Sequence, residues 1–135
     1  MVQLRRTKGF TLLEVLIVLV ILAVLAGLAV PAYTTAIEKS RKQEALTALG
    51  AVRGSQQRYF AAYNAYAGAY SALDFDPALV TTGNTVHFTF PAIGGGGAGS
   101  TTYTATAVRN AVDRPTGVAA YTVTIVQDGT VTSTY

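Results

Sequence analysis

The stretch that decides the fold is KGFTLLE at Lys8–Glu14, together with the apolar run that follows it to Val30. As a helix, this run would be roughly 30 Å long at about 1.5 Å per residue, which is enough to cross the hydrocarbon of a bilayer. It is apolar on every face, so it must be buried in lipid or among other helices. A carboxylate at the centre of a spanning helix costs on the order of 2.5–3.5 kcal/mol, and less near an end. A plain anchor has no use for Glu14, so the sequence predicts a partner for it.

The composition limits the chemistry. The 135 residues allow one modest domain beside the apolar run. The net charge of +3 comes from the leader Met1–Gly9, and the rest of the chain has seven basic and seven acidic residues. We therefore expect no direct binding of nucleic acid. With no Cys and one His, disulfides and thiolate metal sites are excluded and hydrolytic or zinc chemistry is disfavoured. We expect no enzyme, no cofactor and no metal site.

The N-terminus reads as a targeting segment, because basic residues precede an apolar core. An ordinary secretory signal would be cut after the run, near Ala29 or Ala32. The other reading places the cut between Gly9 and Phe10. Glu14 favours the second reading, since a disposable segment gains nothing from an acid in its core.

Residues Thr7 to Arg41 carry a family resemblance, which includes Gly9, Phe10, Glu14 and a proline that ends the apolar run. The stretch resembles the N-terminal signature of type IV pilins and of the pseudopilins of type II secretion. The resemblance implies that a prepilin peptidase cuts after Gly9 and methylates the new amine of Phe10. It also implies a single-pass precursor in the bacterial inner membrane with a cytoplasmic leader. Inner-membrane machinery would then polymerise copies of the subunit into an extracellular filament.

Charge pairing supplies a physical role for Phe10 and Glu14. Cleavage frees a positive amine at Phe10, which a neighbouring subunit's Glu14 can meet in a bundle of such helices. An unpaired charge in an apolar core is very unfavourable, so this pairing would set the register. Two alternatives stay open: a salt bridge within one helix, and a carboxylate that reaches the lipid head groups.

Gly27 and Pro31 predict a kink or local unwinding of the helix. In a continuous helix the amide of residue 31 would donate to the carbonyl of residue 27, but proline has no amide hydrogen. Gly27 is itself a poor helix former. The kink is either a simple one tolerated in a membrane helix or a segment that stretches or bends as the subunit enters the filament.

The sequence predicts an apolar helix over residues 10–31 and a globular head over residues 32–135. Residues 32–63 have helical spacing of apolar positions, with Glu38 and Lys42 as an i,i+4 pair. Residues 64–84 read as a loop, and residues 85–135 alternate as strands. The expected fold class is α+β, a pilin fold in which a long helix packs on an antiparallel sheet of about four strands.

Other motifs gave weaker candidates. The glycine-rich stretch Gly94–Ser100 lacks the Lys of a phosphate-binding loop and is interpreted as a flexible connection. Calcium binding is a weak reading of two acidic pairs, Asp74 with Asp76 and Asp113 with Asp128. An aromatic cluster is interpreted as core and subunit packing rather than as a base-stacking surface. Its members are Tyr59, Phe60, Tyr63, Tyr66 and Tyr70.

The sequence leaves three functions open. The first is a structural subunit of a type IV pilus, with motility, adhesion or DNA uptake as properties of the filament. The second is a pseudopilin of a type II secretion system. The third is a secreted binding domain released by an ordinary signal peptide. An enzyme is the weakest class, because no set of nucleophile, base and acid is visible.

Overall fold

A computed structural model of the chain describes residues 9–76, 80, 87–112 and 114–134. The chain divides into two compact units, residues 1–37 and residues 38–135. Parts of the sequence predictions lie outside the described residues: the basic leader residues, the end of the predicted loop and the start of the strand region over residues 81–86, and Asp113.

One helix, α1, spans Leu12–Tyr63 and contains 52 residues. It begins after Thr11, whose Oγ1 accepts a hydrogen bond from the N–H of Glu14 at 3.2 Å and so caps the first turn. It ends where Asn64 adopts a left-handed conformation with φ of 51°. The predicted end at Tyr63 is confirmed.

Helical geometry continues through Gly27 and Pro31. The hydroxyls of Thr34 and Thr35 donate to the carbonyl of Pro31 at 3.0 and 2.9 Å, so threonine side chains reinforce the turn that follows the proline. The kink or unwinding expected here stays a prediction.

The sheet of the head has four antiparallel strands in the order β1-β2-β3-β4. The strands are β1 Phe88–Thr89, β2 Thr104–Arg109, β3 Thr122–Val126 and β4 Val131–Ser133. The register places Ala107 opposite Val123, and Ile125 opposite Val131. The predicted α+β class with about four antiparallel strands is confirmed.

The core lies between the sheet and one face of α1. Alternate residues of the two central strands are buried, as the alternation predicts. On the helix, Ala45, Leu49 and Val52 are fully buried in the same cluster as Tyr103 and Tyr121. Burying each large apolar side chain contributes about 1.5–3 kcal/mol. The head therefore has a continuous apolar core of its own.

The loop after α1 is fastened to the helix and to the glycine-rich stretch. A short 3-10 turn, Tyr70–Ala72, follows the helix. The buried Gln56 side chain donates to the carbonyl of Ala67 and accepts from its N–H, both at 2.9 Å. A Cβ on Gly96 would lie 2.1 Å from the same carbonyl oxygen. The glycine-rich stretch is thus a close backbone contact, which corrects the expectation of a flexible connection.

Candidate functional site

The two predicted assembly residues lie on the surface of the first unit. The side chain of Phe10 is 82% exposed. Phe10 and Glu14 line a shared groove with Val15, Val18 and Leu19. The Glu14 carboxylate has no hydrogen bond or ion pair with any described residue. Its charge is therefore left without a partner beside an apolar groove of its own helix.

The apolar half of α1 contributes no residue to the core of the head. In the stretch Leu12–Val30, every large apolar side chain is exposed. Helix α1 is long and apolar enough to cross a membrane. Such a surface requires lipid or other helices around it.

The first turn of α1 also carries a local sequence signal for the start of a helix. Thr11 and Glu14 form the T-x-x-E spacing of a capping box, in which the side chain of the first residue accepts from the backbone of the fourth. Glu14 thus marks the first turn of α1 as well as carrying a charge.

A second carboxylate of α1, Glu38, is buried in the head and fully engaged. Arg109 of β2 donates to it with Nε at 3.0 Å and Nη2 at 2.9 Å. Arg41 donates with Nη1 at 2.8 Å, and the hydroxyl of Tyr121 donates at 3.2 Å. Glu38 is 1% exposed and Arg109 is 2% exposed. The sequence paired Glu38 with Lys42, whereas its carboxylate is bound here by Arg109, Arg41 and Tyr121.

The remaining donors of Arg109 are directed to backbone carbonyls. Its Nη1 donates to the carbonyls of His87 and Asn110 at 3.0 and 3.2 Å. Its guanidinium lies 5.8 Å from the centroid of the Phe88 ring, a cation–π distance. Hydrogen bonds from Arg109, more than any other group, lower the pKa of Glu38, against the opposing effect of burial. This network fixes where α1 meets β2 and β3.

An exposed ion pair lies near the end of α1. Arg58 donates to Asp74 with Nε at 2.7 Å and Nη2 at 2.9 Å, in a two-pronged arrangement. The Ser55 hydroxyl also donates to Asp74. These bonds, that from Arg58 foremost, hold the pKa of Asp74 well below its usual range. Asp74 is therefore engaged within the chain, which weakens the calcium reading of Asp74 with Asp76.

The aromatic cluster divides into a packed part and an exposed part. Tyr66 packs on Phe60 and on Tyr103, with ring centroids 4.6 and 4.9 Å apart. Tyr59 and Tyr63 instead contact each other at 4.5 Å, and Tyr63 is 68% exposed. The predicted core packing is confirmed for Tyr66, whereas Tyr63 lies outside the core and its predicted packing against another subunit stays a prediction. The helix ends at Tyr63, so its ring projects past the core.

Two family models match the chain. One, described as type IV minor pilin ComP, DNA uptake sequence receptor, matches residues 31–119. The other, described as the prokaryotic N-terminal methylation motif, matches residues 4–30. The chain belongs to the type IV minor pilin family. The resemblance found in the sequence is therefore confirmed. A search of curated proteins and a search of solved structures each found no match.

The two matches meet near Pro31. The methylation motif covers Gly9, Phe10 and Glu14, the residues of the predicted cleavage and pairing site. The ComP match covers Glu38, Arg41 and Arg109 of the buried network, but not Tyr121, and it covers the exposed pair at the end of α1. Among the described residues, no group of three or more His, Cys, Asp or Glu side chains could hold a metal ion.

Proposed function

We propose that this chain is a minor subunit of a type IV pilus, that it polymerises through the apolar half of α1, and that the filament takes part in DNA uptake. The observation that carries the proposal is the joint match on one chain. The methylation motif over residues 4–30 precedes a ComP-type head over residues 31–119.

Processing would prepare the subunit for assembly. A prepilin peptidase would cut after Gly9 and methylate the amine of Phe10 in an inner-membrane precursor. Before the cut, the nitrogen of Phe10 is an uncharged amide. After the cut it is a cation beside the groove that Glu14 lines. The charge needed for pairing is therefore created by the cleavage itself.

Assembly would then be directed by charge and by apolar burial together. Glu14 has no partner among the described residues, and the groove around it is apolar. When a neighbouring helix covers this groove, an unpaired charge would be strongly destabilising, so registers that pair Glu14 with the amine of Phe10 are selected. A salt bridge between Phe10 and Glu14 of one helix is the competing arrangement, since both line the same groove.

The family match supports a pilin over the other two functions left open by the sequence. A pseudopilin shares the N-terminal signature, but the head here is matched by a minor pilin model. A secreted binding domain with an ordinary signal peptide would not be expected to match both the methylation motif and a minor pilin model.

DNA uptake enters through the family description. The matched family is described as a receptor for a DNA uptake sequence. The head has seven basic and six acidic residues, so its net charge gives little general attraction for phosphates. The sequence alone predicts no direct contact with DNA. The family match is the reason to propose one, and such a contact would use a few positions rather than a basic surface.

Deletion and tagging of the chain in its own cell test this function. We expect the tagged chain to co-purify with sheared surface filaments, and we expect deletion to lower the frequency of transformation by added DNA. A defect in protein secretion, with normal transformation and no tagged chain among the filaments, would identify a pseudopilin and contradict the proposal.

A further inference from the structure

A small pocket opens between the end of α1 and the loop that follows the 3-10 turn. Its volume is about 230 Å³, below the roughly 300–1,000 Å³ of pockets for drug-sized ligands. This size fits a single flat ring system. The lining residues are Arg58, Tyr59, Ala62 and Tyr63 of the helix, with Ala72 of the 3-10 turn and Asp74 of the loop that follows it.

One wall of the pocket is a pair of stacked tyrosines. The rings of Tyr59 and Tyr63 are tilted by 37° with centroids 4.5 Å apart, so each supports the other. Tyr63 is largely exposed. Neither hydroxyl has a hydrogen-bond partner among the described residues. An exposed aromatic face held in place by a second ring is a stacking surface for a planar ligand.

The pocket is also lined by the guanidinium of Arg58, which two hydrogen bonds to Asp74 hold in place. Asp74 takes the Nε and Nη2 donors of Arg58, and Ser55 in turn holds Asp74. A guanidinium has five N–H donors, of which two are used here, so three are left for a ligand. A planar fork held in this way presents parallel donors to paired acceptors.

The charge of the pair selects the type of acceptor. The Asp74 carboxylate sits beside Arg58, so the pair has little net charge and a phosphate group would meet repulsion from Asp74. An uncharged edge with two adjacent acceptors is not repelled. Guanine offers such an edge in its O6 and N7 atoms, which arginine binds with two hydrogen bonds.

We infer that this pocket binds an unpaired guanine of single-stranded DNA, stacked on Tyr63 and held at its O6 and N7 by Arg58. The inference rests on the proposed role in DNA uptake for the source of the ligand. Stacking needs a free base face, which a paired and stacked duplex does not offer.

The test measures binding of short labelled oligonucleotides to the full processed chain in detergent micelles, by fluorescence anisotropy. The first probe is an oligothymidine strand that contains isolated guanines. The second is the same strand with 7-deazaguanine, which lacks the N7 acceptor. We expect the guanine strand to bind about tenfold more tightly, and the duplex form to bind more weakly than either strand.

Variants assign the preference to the pocket. Arg58→Gln should remove the difference between guanine and 7-deazaguanine. Lys39→Gln, which removes one exposed charge from the same helix, should leave that difference intact. Tyr63→Ala should weaken binding of every strand about tenfold, whereas Tyr33→Ala, at an equally exposed tyrosine of α1, should not.

Equal affinity for the guanine strand and the 7-deazaguanine strand would overturn the inference. This comparison uses the unsubstituted protein, so a folding defect of a variant cannot cause the result. A preference unaffected by Arg58→Gln would do the same. Loss of the chain from filaments in Tyr63→Ala, with unchanged oligonucleotide binding, would make the pocket a subunit contact. Any of these results, with transformation still dependent on the chain, leaves the proposed function intact. Guanine binding by a chain absent from filaments would instead remove the proposed function and keep the pocket.

Discussion

Glu14 and Glu38 are two carboxylates on the same helix, and their surroundings differ completely. Glu38 is buried and receives hydrogen bonds from Arg109, Arg41 and Tyr121. Glu14 lies in an apolar groove and has no partner for its carboxylate among the described residues. The carboxylate in the head half of α1 is therefore paired by residues of its own chain, whereas the carboxylate in the apolar half requires a partner from elsewhere.

The difference shows how one helix can serve two environments. The head half of α1 buries small and apolar residues against the sheet, and it satisfies its one buried acid with a long-range arginine. The N-terminal half exposes Leu, Ile and Val instead. Substitutions in the head half should therefore change stability, and substitutions in the apolar half should change assembly.

The largest expected effect is on assembly, in Glu14→Gln. This variant keeps the shape of the side chain but removes its charge, so it cannot pair with the amine of Phe10. We expect processing and membrane insertion to persist, while incorporation into sheared filaments is lost. Quantitative immunoblotting of the filament and membrane fractions measures both.

Glu14→Asp serves as the control for charge, because it keeps the carboxylate on a shorter side chain and should recover part of the assembly. Normal incorporation of the Gln variant would refute charge pairing.

Substitution of Glu38, the carboxylate in the head, should lower the stability of the head. Glu38→Ala removes the carboxylate that forms the ion pair with buried Arg109, and breaking a buried pair in this way costs about 3–5 kcal/mol. Urea unfolding followed by circular dichroism would measure the loss. Glu44→Ala, at an exposed position of the same helix, should change the stability by less than about 0.5 kcal/mol. Equal effects of the two substitutions would contradict the network.

A Gly→Ala substitution should lower stability in the head but favour the helix in the apolar half of α1. A Cβ on Gly96 meets the backbone of Ala67 and Gly68, so Gly96→Ala should destabilise the head by about 1–3 kcal/mol. A Cβ on Gly27 meets nothing within 4 Å. Gly27→Ala should favour the helix by about 0.8–1.0 kcal/mol and leave the unfolding of the head unchanged.

Gly94→Ala is the matched control in the glycine-rich stretch, since its nearest neighbours lie 3.8 Å from the added carbon. A Gly96→Ala head as stable as the Gly94→Ala head would remove the claim of close backbone contact.

The smallest effect is on the pH dependence of the head. The pKa of Glu38 is lowered from 4.5, chiefly by Arg109. Its stabilising contribution is therefore complete above about pH 4.5 and is lost as the pH falls through the lowered value. Urea unfolding at a series of acidic pH values should show this loss. Asp74 and Asp128 are the other described carboxylates whose pKa is lowered, and the loss should persist in the double variant Asp74→Asn, Asp128→Asn.

The sequence predicted the features that local periodicity encodes. Apolar spacing of about 3.6 residues predicted a helix to residue 63, and alternation predicted strands after residue 85. The helix that ends at Tyr63 and the alternating burial in β2 and β3 confirm both. The T-x-x-E capping box at Thr11 is equally local, and it would have predicted the start of the helix. The methylation motif was readable because its residues are contiguous.

Long-range contacts could not be predicted in the same way. Glu38 and Arg109 are 71 residues apart, and the nearer Lys42 offered a local partner. The pattern of alternation gave no separate role to Arg109, which the structure places at the end of β2. The close approach of Gly96 to Ala67 depends on how two loops meet. The pocket at Tyr63 likewise depends on the path of the chain after the helix.

The most direct test of the account is the intact mass and N-terminal sequence of the mature protein purified from its own cell. The account predicts a chain that begins at Phe10 and carries the mass of one added methyl group. The apolar half of α1 would then be retained as working structure. A chain that begins beyond Ala29 would contradict it, because the helix that carries Glu14 would be a discarded signal.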